Sequence, residues 1–400
     1  MDKNRLKGVV SFLFLLVLLF TIDTKAQFYI PAINFSDTIS LTFVGDLMCH
    51  SPQFDYTRVK KDSFNFKPVF RYIKNELTTS DLTAGNLETV LGGKSEKYTG
   101  YPKFNSPDDY LFALKDAGFN FLFTSNNHAL DRGENGITRT IKLLDSLGIN
   151  HTGTYLSQED RDSIRIVNIK DVHIALLSYS YGSNGIKIPD GKDYLINVIN
   201  DSLIRNDIDN AKLKAADLVI CYFHFGEEYK RLPDKAQLEV VDSTISYGAD
   251  IIIASHPHVI QPYIFYQDTN SKLDSVLVAF SLGNFISNQR KRYTDAGMIL
   301  KIVLIKNYIT GQISYEKVSY CPTWVFKGTT ERGKEFLVLN SETAGLDSTI
   351  SFLTKNDLIK MNQSLVDTKA FLNRYQNVNA LKMLGKKKLQ KSAVNRSSSK

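Results

Sequence analysis

Short apolar runs punctuate this chain, each the length of a β-strand buried on both faces. Residues 40–45 (Ser-Leu-Thr-Phe-Val-Gly) run into Asp46, and comparable runs occupy 82–85, 119–124, 174–179, 218–223, 251–254 and 276–280. Helical patterns lie between several of them. Residues 107–117 open with proline and two acids, as a helix start should, and stop at Gly118. Residues 136–147 carry apolar positions at helical spacing before Gly148, and 233–247 repeat the design before Gly248. Strands alternating with such helices predict an α/β protein. From Gly297 the texture loosens: 298–305 and 312–320 predict an antiparallel hairpin, followed by a polar stretch and a helix over 355–374.

The two ends depart from this pattern. Lys3, Arg5 and Lys7 precede an apolar run over 9–22, and Thr24-Lys25-Ala26 follows it. That arrangement predicts a signal peptide cut after Ala26, with an uncleaved N-terminal anchor as the alternative, and places the remaining chain in the periplasm or cell envelope. The formal charge of +7 is concentrated at the ends, because residues 27–380 sum to −2. A near-neutral body argues against nucleic-acid binding. The expected organisation is a signal peptide (1–26), a linker (27–38), a main domain (39–325), a C-terminal extension with a helix (326–378) and a basic disordered tail (379–400). Cys49, Cys221 and Cys321 are too few and scattered for a disulfide framework and read as apolar filler, although Cys49 and Cys221 each fall beside a motif and could be neighbours.

Candidate chemistry collects where the strands end. One run leads into Asp46, another into Asn86 and Glu88, and a third into Asn126, Asn127 and His128 with Asp131 three residues on. Two further runs lead into His224 and into His256-Pro257-His258. Ligands of open α/β sheets bind at such carboxyl ends. Imidazoles mixed with carboxylate and amide oxygens suit divalent Mn, Zn or Fe, as one ion or two, whereas a thiolate-rich site would suggest structural zinc. His50, His151 and His173 have no such company and read as structural or surface residues.

Six segments carry a specific resemblance: Gly45-Asp46-Leu47-Met48, Gly85-Asn86-Leu87-Glu88, Asn126-Asn127-His128-Ala129-Leu130-Asp131, His224-Phe225-Gly226-Glu227-Glu228-Tyr229, His256-Pro257-His258-Val259 and Ser281-Leu282-Gly283-Asn284-Phe285. In this order they resemble the poly-γ-glutamate capsule synthesis (CapA) family over roughly residues 40–290. That family is similar to the calcineurin-like metallophosphoesterases, which implies a four-layer αββα sandwich of the metallo-dependent phosphatase type. The resemblance implies Asp46, Glu88, Asn127, His224, His256 and His258 as metal ligands, with Glu88 where a bridging aspartate would stand. It implies His128 as the catalytic histidine, Asp131 as the residue that orients it, and Asn86, Glu227 and Asn284 as substrate contacts. Phosphoesterases pair the first aspartate with a histidine two residues later, and here Met48 holds that position. The implied function is a metal-dependent hydrolase or transferase of capsule metabolism that uses metal-bound water. Its partners would be an anionic polymer such as poly-γ-glutamate, or a phosphate ester, together with envelope synthesis or export machinery. A phosphomonoesterase or phosphodiesterase, and a non-catalytic polymer-binding export or anchoring factor, are the alternatives.

Overall fold

The computed structural model describes residues 35–268 and 271–375. The expected signal peptide and basic tail lie outside these residues.

In chain order the strands begin with β1 (Ser36–Leu47), β2 (Arg58–Lys60), β3 (Ser63–Phe64), β4 (Leu82–Asn86), β5 (Phe121–Phe123) and β6 (Asn150–Thr152). They continue with β7 (Arg165–Ile169), β8 (Val172–Ser180), β9 (Leu218–His224), β10 (Ile251–Ser255) and β11 (Tyr263–Gln267). The last are β12 (Ser275–Ala279), β13 (Asn284–Ile286), β14 (Ala296–Asn307), β15 (Ile313–Thr330) and β16 (Gly333–Asn340). The helices are α1 (Ser51–Thr57), α2 (Lys74–Thr78), α3 (Asp108–Ala117), α4 (Gly133–Ser146), α5 (Gln158–Asp162), α6 (Asp201–Leu213), α7 (Lys235–Tyr247) and α8 (Lys355–Tyr375). Apart from a two-stranded β2-β3 ribbon, the described strands form two large sheets, one with the order β16-β15-β14-β1-β4-β5-β6, with β13 also pairing β1, and one with the order β11-β12-β10-β9-β8-β7.

Side-chain alternation turns these two sheets into four layers. Along β9, Leu218, Ile220 and Tyr222 point into a core shared with Phe43, Phe121 and Phe123 of the first sheet. The alternate residues Val219, Cys221 and Phe223 pack outward against Ile204 and Ile208 of α6 and Val241 of α7. Stacking of Phe123 on Tyr222, with centroids 4.2 Å apart, closes the inter-sheet core. On the far side of the first sheet, Val44 and Leu122 pack with Phe54, Phe70, Tyr110, Leu114 and Leu144 from the helical layer. The strands are continuously apolar because both faces are buried.

The helix boundaries follow the expected signals. α3 carries Asp108 and Asp109 in its first turn and ends at Gly118 with φ 112°. α7 opens on a reciprocal Asp234/Gln237 cap and ends at Gly248 with φ 99°. The expected hairpin is present as antiparallel β14 and β15. The stretch expected to be polar after residue 320 is strand instead. Trp324 and Phe326 of β15 join Leu337 and Leu339 of β16 and Met361 of α8 in a separate core, so tertiary burial overrides a locally mixed pattern. β15 runs unbroken through residue 325. Cys49 and Cys221 occupy different cores on the outer faces of opposite sheets, which corrects the expectation that they could be neighbours, and all three thiols are free and buried.

A buried ion pair braces the second sheet against the loop after β5. Arg161 binds both Asp207 carboxylate oxygens at 2.9 and 2.7 Å, and Tyr179 donates to the same carboxylate at 2.8 Å. Arg161 also donates to Asn197, whose carbonyl accepts from Ser125. The Arg161 and Asp207 side chains are only 10% and 2% exposed. Arg161→Ala is therefore expected to lower unfolding free energy by about 3 kcal/mol in urea titration, because Asp207 is left buried without its cation.

Candidate metal centre

Strand register brings distant residues to one place. Asp46 of β1 lies opposite Asn86 of β4 on one side and Asn284 of β13 on the other. In the second sheet, Ser255 of β10 lies opposite His224 of β9. The carboxyl ends of strands from both sheets thus face one another across the sandwich edge. Gly45 makes the approach possible: a Cβ there would stand 1.9 Å from the Gly283 carbonyl oxygen. Asp46 N donates to that same oxygen at 3.0 Å. Gly45→Ala is expected to cost about 3 kcal/mol in thermal or urea unfolding, because the strand must move away and carry Asp46 with it.

Among the described residues, two groups of three side chains can each hold a cation, Glu88–His224–His256 and Asp46–Glu88–His258. Glu88 belongs to both. Its Oε1 lies 3.7 Å from His224 Nε2 and 3.8 Å from His258 Nε2. Both of its carboxylate oxygens are buried with no hydrogen-bond partner among the described residues. Burial, followed by the neighbouring Asp46 charge, pushes the Glu88 pKa well above the usual carboxylate range. Burial also acts to raise the Asp46 pKa, but hydrogen bonds from His258 and Ser255 outweigh it, and the net direction is down. An unpartnered buried carboxylate is costly, and a divalent cation would replace the missing donors.

Burial favours the neutral, metal-binding form of two of the imidazoles. Burial pushes the His224 pKa well below the histidine range and that of His256 down to about 3, each assisted by a neighbouring histidine. Neutral rings keep a lone pair for a ligand bond. His258 Nδ1 lies 3.0 Å from Asp46 Oδ2 and 3.1 Å from Asn284 Oδ1, two acceptors that fix its proton on Nδ1 and free Nε2. His256 and His258 hold φ values of 103° and 57°. Left-handed backbone at two histidines is strain of the kind retained where side-chain direction matters.

The other expected residues fall around this core. Asn127 Oδ1 lies 2.8 Å from His224 Nε2, and its amide nitrogen donates to Asn184. Asn86, completely buried, donates to Asp46 Oδ1 at 2.8 Å, lies 3.0 Å from His224 Nδ1 and accepts from Asn126, so its amide braces the ligands. Asn284 is likewise buried, between His258 and the 289–294 loop. Glu227 lies apart on the surface, 3.4 Å from Lys230. His128 Nδ1 lies 2.7 Å from Asp131 Oδ2, which also accepts from Phe104 N at 2.7 Å. Met48 is buried, and its carbonyl accepts from Gln53 and Tyr110.

His50 joins neither cation group. It caps α1 through Gln53 and accepts from Asn288 N at 3.3 Å. His151 pairs with Asp145, and His173 is surface-exposed near Asp217. Sequence reasoning missed Ser255, which hydrogen-bonds Asp46 and Tyr222. It also missed Tyr181, whose ring lies 4.6 Å from that of His256, and Phe104, edge-on to His128 at 4.6 Å. Ser255 carried a signal, standing between a buried strand and His256. The two aromatics come from loops whose sequence had none.

Residues 40–289 match the family described as Bacterial capsule synthesis protein PGA_cap. The chain belongs to this family. It is 28% identical over 263 residues to the capsule biosynthesis protein CapA of Bacillus anthracis, a match covering 64% of this chain and 61% of that protein. It is 28% identical over 281 residues to the PGA biosynthesis protein CapA of Bacillus subtilis strain 168, covering 68% and 69%. The chain therefore spans less than two thirds of the length of the Bacillus anthracis relative. Among solved structures, the Haemophilus influenzae NAD nucleotidase NadN aligns with a TM-score of 0.43 at 12% identity, covering 90% of this chain and 68% of that one. The 5'-nucleotidase precursor of Thermus thermophilus aligns with a TM-score of 0.43 at 11% identity, covering 83% and 59%. The matched PGA_cap segment contains all the residues of both cation groups.

Proposed function

We propose that this PGA_cap protein is an exported, divalent-metal-dependent hydrolase or transferase acting on an anionic capsule polymer, with poly-γ-glutamate as the substrate class. The observation that carries the reading is Glu88, a buried carboxylate without donors that belongs to two ligand groups. Family membership and the names of the Bacillus relatives support the capsule assignment. The charged start and apolar run before Ala26 support export.

Glu88 with His224 and His256, and Glu88 with Asp46 and His258, would hold one cation or two, with Asn127 as a further oxygen donor. A divalent ion supplies Lewis acidity toward a substrate carbonyl or phosphoryl oxygen. Asn86 and Ser255 hold Asp46, and Asn284 holds His258. Asp131 accepts at His128 Nδ1, leaving Nε2 of that ring to give or take a proton. The flanking Phe104 ring limits how far the imidazole can turn.

The test pairs metal analysis with activity. Purified protein is expected to hold Mn, Zn or Fe and to lose it to a chelator, and cation-loaded protein is expected to turn over γ-glutamyl polymer in preference to an aryl phosphate. No bound metal, with no response to added Mn²⁺ or Zn²⁺, would remove the metal assignment. Aryl phosphate turnover without polymer turnover would make the protein a phosphoesterase, and metal-dependent polymer binding without turnover would make it a non-catalytic factor.

A further inference from the structure

A line of basic side chains leaves the metal centre along the β15–β16 side of the molecule. It begins at the loop that follows β13. Asn284, which holds His258, donates to Gln289 at 3.1 Å, and the adjacent Asn288 accepts from Lys327 Nζ at 2.9 Å. Arg290 in the same loop donates to the Val325 carbonyl, two residues before Lys327 on β15. Tyr56 of α1 comes next: Lys327 Nζ lies 5.6 Å from its ring centroid and Lys334 Nζ of β16 lies 5.8 Å from it. Lys334 and Arg332 then line a cavity of ≈ 250 Å³ together with Tyr56 and Arg58.

These cations make no ion-pair contact among the described residues; Asp295 and Asp357 act on Arg290, and Glu335 on Arg332, only at longer range. Among the described residues, no carboxylate is within 4.0 Å of Arg290, Lys327, Arg332 or Lys334. Glu335, the carboxylate lining that cavity, is occupied by Arg71 through two 2.8 Å bonds. Burial, and then the neighbouring Arg290 guanidinium, lower the Lys327 pKa from the ordinary ammonium value. Like charges held side by side raise the local potential and attract an extended anion. The contrast with the body of the chain is large, since residues 27–380 sum to −2. Tyr56 between two ammonium groups adds a flat surface on which an aliphatic stem can lie.

We propose that this face, from Asn288 past Lys327 and Arg290 to Lys334 and Arg332, is a docking track that leads a polycarboxylate chain to the metal centre. The proposal rests on the reading of an anionic polymer substrate and extends it by naming the surface that engages the chain beyond the reacting unit. Repeating carboxylates would meet successive cations along β15 and β16, so affinity should fall steeply with salt.

The test measures binding of fluorescein-labelled poly-γ-glutamate to the full chain by anisotropy at low salt. Wild type is compared with K327E/K334E, with the exposed pair R332E/K334E, and with K386E/K387E in the basic tail. Each variant's fold is checked by circular dichroism and melting. Both track variants are expected to bind about tenfold more weakly, and the tail variant within about twofold of wild type. Should K327E/K334E fail to fold, R332E/K334E decides. Affinity unchanged in the track variants, or reduced equally in the tail variant, would overturn the track. Tight wild-type binding without turnover would count against the hydrolase or transferase reading and leave the track standing. Turnover with equal affinity in all variants would do the reverse.

Discussion

Replacing Glu88 by glutamine is expected to abolish the response of this protein to divalent cations while making the cation-free protein more stable. In wild type, cation at about a thousandfold over its dissociation constant should add about 4 kcal/mol to the unfolding free energy. Glutamine keeps the size of the side chain but loses the anion shared by both ligand groups, so this gain should vanish. Without cation, the substitution removes a buried carboxyl group whose ionisation is opposed by burial and by the Asp46 charge. Relief of about 1 kcal/mol is expected from that change. Melting of chelator-treated and cation-loaded samples of both proteins measures the two effects together. A Glu88→Gln protein whose melting point still climbs with Mn²⁺ or Zn²⁺ as wild type does would show that the cation binds elsewhere. A structural role for Glu88 alone predicts the opposite sign for the cation-free protein, so one experiment separates the two accounts.

The fold was legible where both faces of a strand are buried. Residues 218–223 and 251–254 are unbroken apolar runs because alternate side chains fill the inter-sheet core and the outer helical core. It was least legible after residue 320. There β15 carries Trp324 and Phe326 among threonine, lysine and glycine, and its pairing with β16 depends on contacts with α8 that no local pattern encodes. The cation groups were legible because strand register puts strand ends together, and polar residues after a buried strand are visible in one dimension. What supports those groups was not. Phe104 reaches His128 from a loop, and Tyr181 reaches His256 from the turn after β8. Their placement is a property of the folded layers. His50 shows the converse, since a histidine four residues from Asp46 folds back to cap α1 and meets the 288 loop.

Loss of the His128 imidazole should separate turnover from cation binding. His128 belongs to neither cation group, yet it is buried at 3% exposure beside Phe104 and pairs with Asp131 at 2.7 Å. A ring held so firmly by a carboxylate suits proton transfer, which contributes about 100- to 10,000-fold to rate. His128→Ala is therefore expected to lower turnover of the preferred substrate by that factor while cation affinity stays within about threefold. Asp131→Asn should fall between the two, losing about tenfold, because the ring remains but its proton is no longer drawn to Nδ1 by a charge. Asp131 also accepts the Phe104 backbone proton, so melting curves accompany the kinetics to separate lost orientation from a loosened loop. Single-turnover assays with cation-loaded protein, alongside cation titrations of the same samples, measure turnover and cation affinity. Full activity in His128→Ala would remove this histidine from the chemistry and leave proton transfer to another group or to solvent. Parallel loss of cation affinity and turnover would instead make it part of the binding site, and the division of labour drawn from the two ligand groups would have to be redrawn.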